Sequence, residues 1–216
     1  MSTGLTTTVL SDAIRRVVAK LEASADELNA LDATLGDGDL GVTMVRGGRS
    51  MLAELPNLPD DVGLALLKCA QALTRLSGST YGTLLATGLM SAAKATKGRP
   101  EVPWSEISTL IGNAIAAMSQ RSGGKLGDKT VLDALESVRA ATDGLQDPAV
   151  LAAAADQAVA AALERFRNLP SRQGRARIFA EKSVGRDDPG MVAFKCITEA
   201  LVHLGRIHEE QCMRHP

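Results

Sequence analysis

Aromatic side chains are scarce in this 216-residue chain, which has only Tyr81, Trp104, Phe166, Phe179 and Phe194. Runs of β-branched residues are scarce too, while alanine and leucine abound, so the composition argues for helices and against a sheet-built core. Cysteine is sparse: Cys69, Cys196 and Cys212 are odd in number and far apart. That excludes a disulfide framework and points to a reducing compartment, the cytoplasm. Charge of one sign is also missing, with 24 Lys and Arg against 25 Asp and Glu and a net charge of −1. This balance gives no global attraction to nucleic acid or to an anionic membrane, so any anion site must be local. There is no apolar stretch of membrane-spanning length, and the opening Met1-Ser-Thr-Gly-Leu-Thr-Thr-Thr8 has no basic n-region followed by an apolar core. Internal repeats and a recognisable interdomain linker are lacking as well. What is present, 45% hydrophobic and 23% charged residues, is ordinary for a globular protein. The expectation is one domain over residues 1–216 with one large core.

Apolar spacing predicts helices almost throughout. Leu10, Ile14, Val17 and Leu21 fall three and four apart and start a helix that runs, with a bend near Ser24, to about residue 33. Further helices are expected at 41–55, 61–75, 80–97, 105–120, 129–143, 148–168 and 189–208, eight in all. Ile107, Leu110, Ile111, Ile115 and Met118 form one stripe, with Ser105 placed to start that helix. Asp147 and Pro148 read as an N-cap and a first-turn proline. The fold class is therefore all-α, a bundle or closed barrel of about eight antiparallel amphipathic helices.

The chemistry concentrates in the loops. In Leu31-Asp-Ala-Thr-Leu-Gly-Asp-Gly-Asp-Leu-Gly41, Asp32, Asp37 and Asp39 crowd into a short glycine-rich stretch. Neighbouring carboxylates raise one another's pKa unless they share a cation, which suits a hard divalent ion. A helix stop followed by an N-cap uses the same residue types and stays open as the plainer reading. Magnesium fits better than calcium, because the evenly spaced ligands and closing glutamate of an EF-hand are missing. Three more polar glycine loops open helices: Leu76-Ser-Gly-Ser-Thr-Tyr-Gly82, Gly123-Gly-Lys-Leu-Gly-Asp-Lys-Thr130 and Gly185-Arg-Asp-Asp-Pro-Gly190. Ser77, Ser79 and Thr80 offer hydroxyls, and Lys125 and Lys129 are possible charge partners for an anion at a helix N-terminus.

Taken in order, Asp32…Gly36-Asp-Gly-Asp39, Ser77-Gly…Tyr-Gly82, Gly127-Asp-Lys-Thr130, Gly174-Arg-Ala176 and Asp188-Pro-Gly190 resemble the nucleotide-binding, or L, subunits of dihydroxyacetone kinases, the Dak L or Dak phosphatase-domain family. The resemblance spans roughly residues 5–205. It implies eight antiparallel helices in a barrel with the nucleotide site in loops at one end, holding ADP or ATP through two Mg²⁺. By the same resemblance Asp32, Asp37 and Asp39 are the metal ligands and act in catalysis through the metal. Gly41, Thr43, Ser77, Gly78 and Gly127 are phosphate-side positions, and Arg175, Asp188, Pro189 and Gly190 lie near the sugar or base. The implied activity is that of a kinase or phosphotransferase subunit of glycerol metabolism, passing a phosphoryl group to dihydroxyacetone or a related small ketose. The ketose would be held by a separate K-type subunit, for which this chain has no segment left over. The nucleotide would be exchangeable ATP, or a fixed ADP recharged by a phosphotransferase-system phosphocarrier. Metal ions and helix N-termini together neutralise a polyphosphate without a strongly basic chain.

Two positions depart from the family pattern. Leu40 stands where the family has His after the last Asp, and Thr74-Arg-Leu76 replaces a glycine pair ahead of Ser-Gly. The loss of a polar phosphate contact at Leu40 favours an alternative reading, a non-catalytic nucleotide-sensing or partner-binding module of the same fold. Other polar residues read more simply. His203, His208, Cys212 and His215 crowd the C-terminus, where an exposed, frayed tail is a better reading than a metal site. Arg46 and Arg49 suit a solvated helix face, and Cys69 a small core position. Arg165, Arg167, Arg172, Arg175 and Arg177 lack the interleaved aromatics of a nucleic-acid surface.

Overall fold

A computed structural model describes residues 4–76 and 79–213, the side chains at 76, 175, 176, 179 and 203–213 excepted. The described residues form nine α-helices. These are α1 (Thr7–Ala23), α2 (Ala25–Asp32), α3 (Leu40–Glu54), α4 (Val62–Leu76), α5 (Thr80–Thr96), α6 (Ile107–Ser122), α7 (Val131–Thr142), α8 (Pro148–Arg167) and α9 (Pro189–Met213). Two short strands, β1 (Gly4–Thr6) and β2 (Glu101–Pro103), pair antiparallel with Leu5 opposite Val102. The all-α expectation holds, and the bend expected near Ser24 is the break between α1 and α2.

Each helix from α3 to α9 packs on the next, α9 returns onto α1, and α1 packs on α3, which closes a ring. Because α1 and α2 run on from one another, nine helices fill eight places. Apolar faces at helical spacing meet inside: Leu21, Leu28, Leu40, Met44, Ala193 and Cys196 join α1–α3 to α9. Ala134, Val138, Val159, Ala162, Phe166 and Met191 join α7–α9. Cys69 is buried beside Ile14 and Val18, as its apolar setting predicts. At α8, Asp147 accepts from the amides of Ala149 and Val150 at 2.9 Å, and Pro148 occupies the first turn.

Some local expectations fail. Ser105 does not cap α6; residues 104–106 form a 3-10 turn, and α6 begins after Glu106, which provides no side-chain cap. Glu106 instead takes a two-pronged ion pair from Arg99, at 2.8 and 2.7 Å, which turns it away from the helix. The β1–β2 ribbon and the 3-10 segment over 175–183 are further departures from the expected helices and loops.

Antiparallel packing puts alternate connections at the same end of the ring. α3, α5, α7 and α9 all start at one end, beside Ser79 and the connections 33–39, 123–130 and 168–188. The other end carries the ribbon and the connections 55–61, 97–106 and 143–147. Every glycine loop singled out for chemistry lies at the first end.

Candidate functional site

Asp32 closes α2, Asp39 precedes α3, and Asp37 lies in the turn between them. One carboxylate oxygen from each lies within 4.8 Å of the other two. The turn is built around Asp32, whose Oδ2 accepts from the amides of Gly38 at 2.9 Å and Asp39 at 3.1 Å. A Cβ at Gly36 would lie 2.3 Å from Asp32 Oδ1, so only glycine lets the chain pass there. Burial holds the Asp32 carboxyl above its ordinary value, helped by the charge of Asp37 and opposed by the amides of Asp39 and Gly38. Asp39 is exposed and makes no side-chain cap to α3, the expected use of an Asp at that position. Three carboxylates converge with no protein cation hydrogen-bonded to Asp32 or Asp39 among the described contacts, a donor set that suits a hard divalent ion.

The helix starts around the triad differ. At α7, Thr130 and Asp133 form a reciprocal capping box, and Asp133 also accepts from the Gly127 amide at 2.5 Å. At α9, Asp188 accepts from the Met191 amide at 2.9 Å. At α3 and α5 the capping positions, Asp39 and Ser79, make no side-chain cap bond. At α3 the Val42 amide is taken instead by Asn29 Oδ1 at 3.2 Å, so the start of α5 is the one better suited to an external anion. Beside α5 lies a hollow of about 250 Å³ lined by Thr80, Thr83, Leu84, Arg121 and Ser122. A larger hollow of about 490 Å³, lined by Arg16, Lys20, Asp156 and Glu199, is remote from this chemistry and lies on the seam between α1, α8 and α9.

The other expected site residues are disposed as follows. Gly41 is buried in the first turn of α3, where a Cβ would lie 2.1 Å from the Ala25 carbonyl oxygen, so this glycine lets α3 press onto α2. Thr43 is half-buried one turn into α3. Gly127 sits in an exposed loop, its amide already engaged by Asp133. Burial pushes the Asp188 carboxyl up to about 6, against the amides of Met191 and Gly190 and the attraction of Lys129. Pro189 and Gly190 open α9, and the Gly190 carbonyl accepts from the Tyr81 hydroxyl at 2.8 Å, joining the starts of α5 and α9. Ser77, Gly78 and His215 lie outside the described residues, as do the side chains of Arg175, His203, His208 and Cys212.

Lys129 does not face outward as a partner for an anion. It is 1% exposed, and its Nζ donates to the carbonyls of Arg167, Leu169 and Ser183. Leu40 is buried in the core with Leu28 and Met44, so this position is committed to packing. Arg49 pairs with Glu22 and Arg75 with Glu54, both on exposed helix surface. Sequence reasoning missed Asn29, whose Oδ1 receives the Val42 amide at 3.2 Å, and Asp133. Asp133 carried a readable signal, an acid three residues after Thr130 at a helix start.

Comparison with known proteins agrees with this architecture. The DAK2 domain family matches residues 34–203, and the chain belongs to that family. The chain is 30% identical over 183 residues to the ADP-binding subunit DhaL of the PEP-dependent dihydroxyacetone kinase of Escherichia coli, covering 82% of this chain and 87% of the relative. It is 33% identical over 207 residues to the L-erythrulose 1-kinase of Mycolicibacterium smegmatis, covering 89% of this chain but 36% of that protein. The dihydroxyacetone kinase of C. freundii solved with AMP-PNP and Mg²⁺ shares the fold, with a TM-score of 0.73 and 23% identity over 94% of this chain. This chain spans 35% of that longer one. Among the described residues no helix is long and apolar enough to cross a membrane.

Proposed function

We propose that this chain is the phosphotransferase subunit of a dihydroxyacetone (glycerone) kinase or a related ketose kinase. It presents Mg-bound ADP or ATP and passes a phosphoryl group to a small ketose held by a separate K-type subunit. The observation that carries the reading is the convergence of Asp32, Asp37 and Asp39 within 4.8 Å at the end where α3 and α5 begin. Family membership and the printed names of the relatives, an ADP-binding kinase subunit and an L-erythrulose kinase, support the substrate class.

In this reading the three Asp side chains hold two Mg²⁺, which supply charge neutralisation for the polyphosphate. The chain's own part is positioning. Amides at the start of α3 and α5, with Thr43, Ser77 and Gly78, take the phosphate side, and Gly127 shapes its loop. Arg175 and the Asp188-Pro189-Gly190 turn border the sugar or base. A hydroxyl oxygen of the ketose would bond to the terminal phosphorus of ATP as the bond from that phosphorus to the ADP oxygen breaks, with ADP leaving and the hydroxyl proton passing to water. The PEP-dependent relative supports the arrangement in which ADP is retained and recharged by a phosphocarrier.

Buried Leu40 motivates a second reading, a nucleotide-sensing or partner-binding module without turnover. The deciding experiment analyses the protein purified in its native state for bound nucleotide and magnesium, then reconstitutes it with a K-type subunit and a panel of ketoses. Bound or acquired Mg-nucleotide with phosphorylated product is the expected result. Nucleotide binding without product selects the sensing module, and a protein that never takes up Mg-ADP or Mg-ATP overturns both.

A further inference from the structure

The 168–188 connection, which carries Arg175 and leads into Asp188, Pro189 and Gly190, is gathered at its neck by several ties, one of them made from outside it by the Lys129 side chain. Lys129 sits in the left-handed backbone region at φ 61, unusual for a residue with a side chain. That conformation lies between Asp128 and the Thr130 cap, and the Lys129 side chain runs inward. Its ammonium reaches the Arg167 carbonyl at 3.0 Å and the Leu169 carbonyl at 2.8 Å on the entering strand of the neck. On the departing side it reaches the Ser183 carbonyl at 2.7 Å. An ammonium has three protons, so all its donors are used within the protein.

Other ties surround this one, among them the Gly185 amide, which donates to the Arg167 carbonyl at 2.9 Å. The Arg172 amide donates to the Asp128 carbonyl at 3.0 Å, and Gln173 Nε2 to the Ser122 carbonyl at 2.9 Å. The Ser171 amide donates to Ser183 Oγ at 2.8 Å, and Arg167 grips Asp187 with two bonds of 3.0 Å. Among the described residues only the Lys129 ammonium bonds both sides of the neck while belonging to a third element, the α6–α7 connection. The desolvation of this buried ammonium is tolerated because three carbonyls replace water around it.

We infer that Lys129 is a positioning residue, which fixes the 168–188 segment to the α6–α7 connection and so sets where that segment meets the nucleotide. The inference rests on the reading of the site as a Mg-nucleotide site. It predicts that the loss of the ammonium changes nucleotide binding and leaves the carboxylate triad alone, because the triad is carried by the separate α2–α3 turn.

The test compares wild type with K129M and K129R in three measurements: Mg-ADP affinity by calorimetry, Mn²⁺ binding without nucleotide, and trypsin cleavage at Arg172, Arg175, Arg177 and Lys182. In K129M, cleavage is expected to quicken about tenfold or more and Mg-ADP affinity to fall about tenfold or more, with Mn²⁺ binding within about twofold of wild type. K129R keeps charge and donors and is expected to recover part of both losses. Faster cleavage with unchanged Mg-ADP affinity overturns the positioning role, and unchanged cleavage overturns the tie itself. If K129M does not fold, wild type still decides: saturating Mg-ADP must slow cleavage within 172–182 about tenfold, and no protection overturns the inference. A wild type that binds no Mg-ADP fails the site reading instead, a result distinct from all of these.

Discussion

At the end of the ring away from the carboxylates, backbone groups are tied off within the chain. β1 pairs with β2, the Val62 amide donates to the Arg99 carbonyl at 2.8 Å, and Asp61 accepts from the amides of Leu64 and Gly98. The Thr7 hydroxyl reaches across to the Pro59 carbonyl at 2.9 Å. The carboxylate end holds its polar groups differently. There α7 and α9 are capped by their own side chains, while α3 and α5 are not, and three carboxylates face one another. The contrast teaches where binding energy is to be found: self-satisfied backbone stabilises the fold, and like charges held close together favour a cation that they can share.

The largest effect expected from breaking this contrast is at the triad. Asp37→Asn should weaken Mg-dependent ADP binding by about 100-fold, roughly 2.7 kcal/mol, as read by calorimetry. The melting temperature without ligand should hardly move, and an unchanged ADP affinity would remove Asp37 from the metal site. Adding EDTA to the wild type should abolish whatever thermal stabilisation ADP gives, since only a ligand that binds the folded state raises its stability.

The opposite end should show the converse. Val102, fully buried between Val62, Leu66 and Leu110, anchors the ribbon to the core. Val102→Ala should cost about 2 kcal/mol in denaturant unfolding and leave the Mg-ADP affinity of the folded protein unchanged. A parallel loss of affinity would show that the two ends are coupled through the helices.

A smaller, pH-dependent effect sharpens the picture at the start of α9. Asp188 titrates at about 6 in the folded protein, above its ordinary carboxylate value of 3.8. Its protonated form is therefore favoured by folding, and that contribution is complete below the unfolded pKa and is lost as pH rises through the folded one. Wild-type stability should fall relative to Asp188→Asn between about pH 4 and pH 6, and parallel curves would contradict the shift. Smallest of all is the Arg99–Glu106 pair, whose side chains are 33% and 40% exposed. Arg99→Ala should cost less than about 1 kcal/mol, and less still in high salt.

Much of this architecture was legible in the residues. Helical spacing revealed the helices, because each buries an apolar face, and Ser24 marked the break in the first; between a bundle and a closed ring the spacing alone did not choose. The crowding of Asp32, Asp37 and Asp39 was readable from their spacing, and the structure brings the three together, although the same residue types also serve helix stops and caps. The ribbon was not readable: Gly4-Leu5-Thr6 and Glu101-Val102-Pro103 are too short for alternation to show, and each becomes a strand only beside the other. Lys129 was misread as an outward charge for a related reason. Its partners are three backbone carbonyls, groups that every residue possesses, so nothing in the sequence names them. Leu40 could be seen as a departure from the family, but that its side chain turns into the core depends on how α3 lies against α2 and α9.

The contact of α1 with α9 also governs how the molecule can be assembled. Every other neighbouring pair in the ring is consecutive or nearly so along the chain, and can form while synthesis is still under way. The closing pair joins the first helix to the last, so a nascent chain has an open arc until α9 has emerged. The Asp32–Asp39 turn is made early, yet the wall that completes its surroundings arrives late. The carboxylate end of the ring therefore reaches its folded form only after α9 has docked on α1.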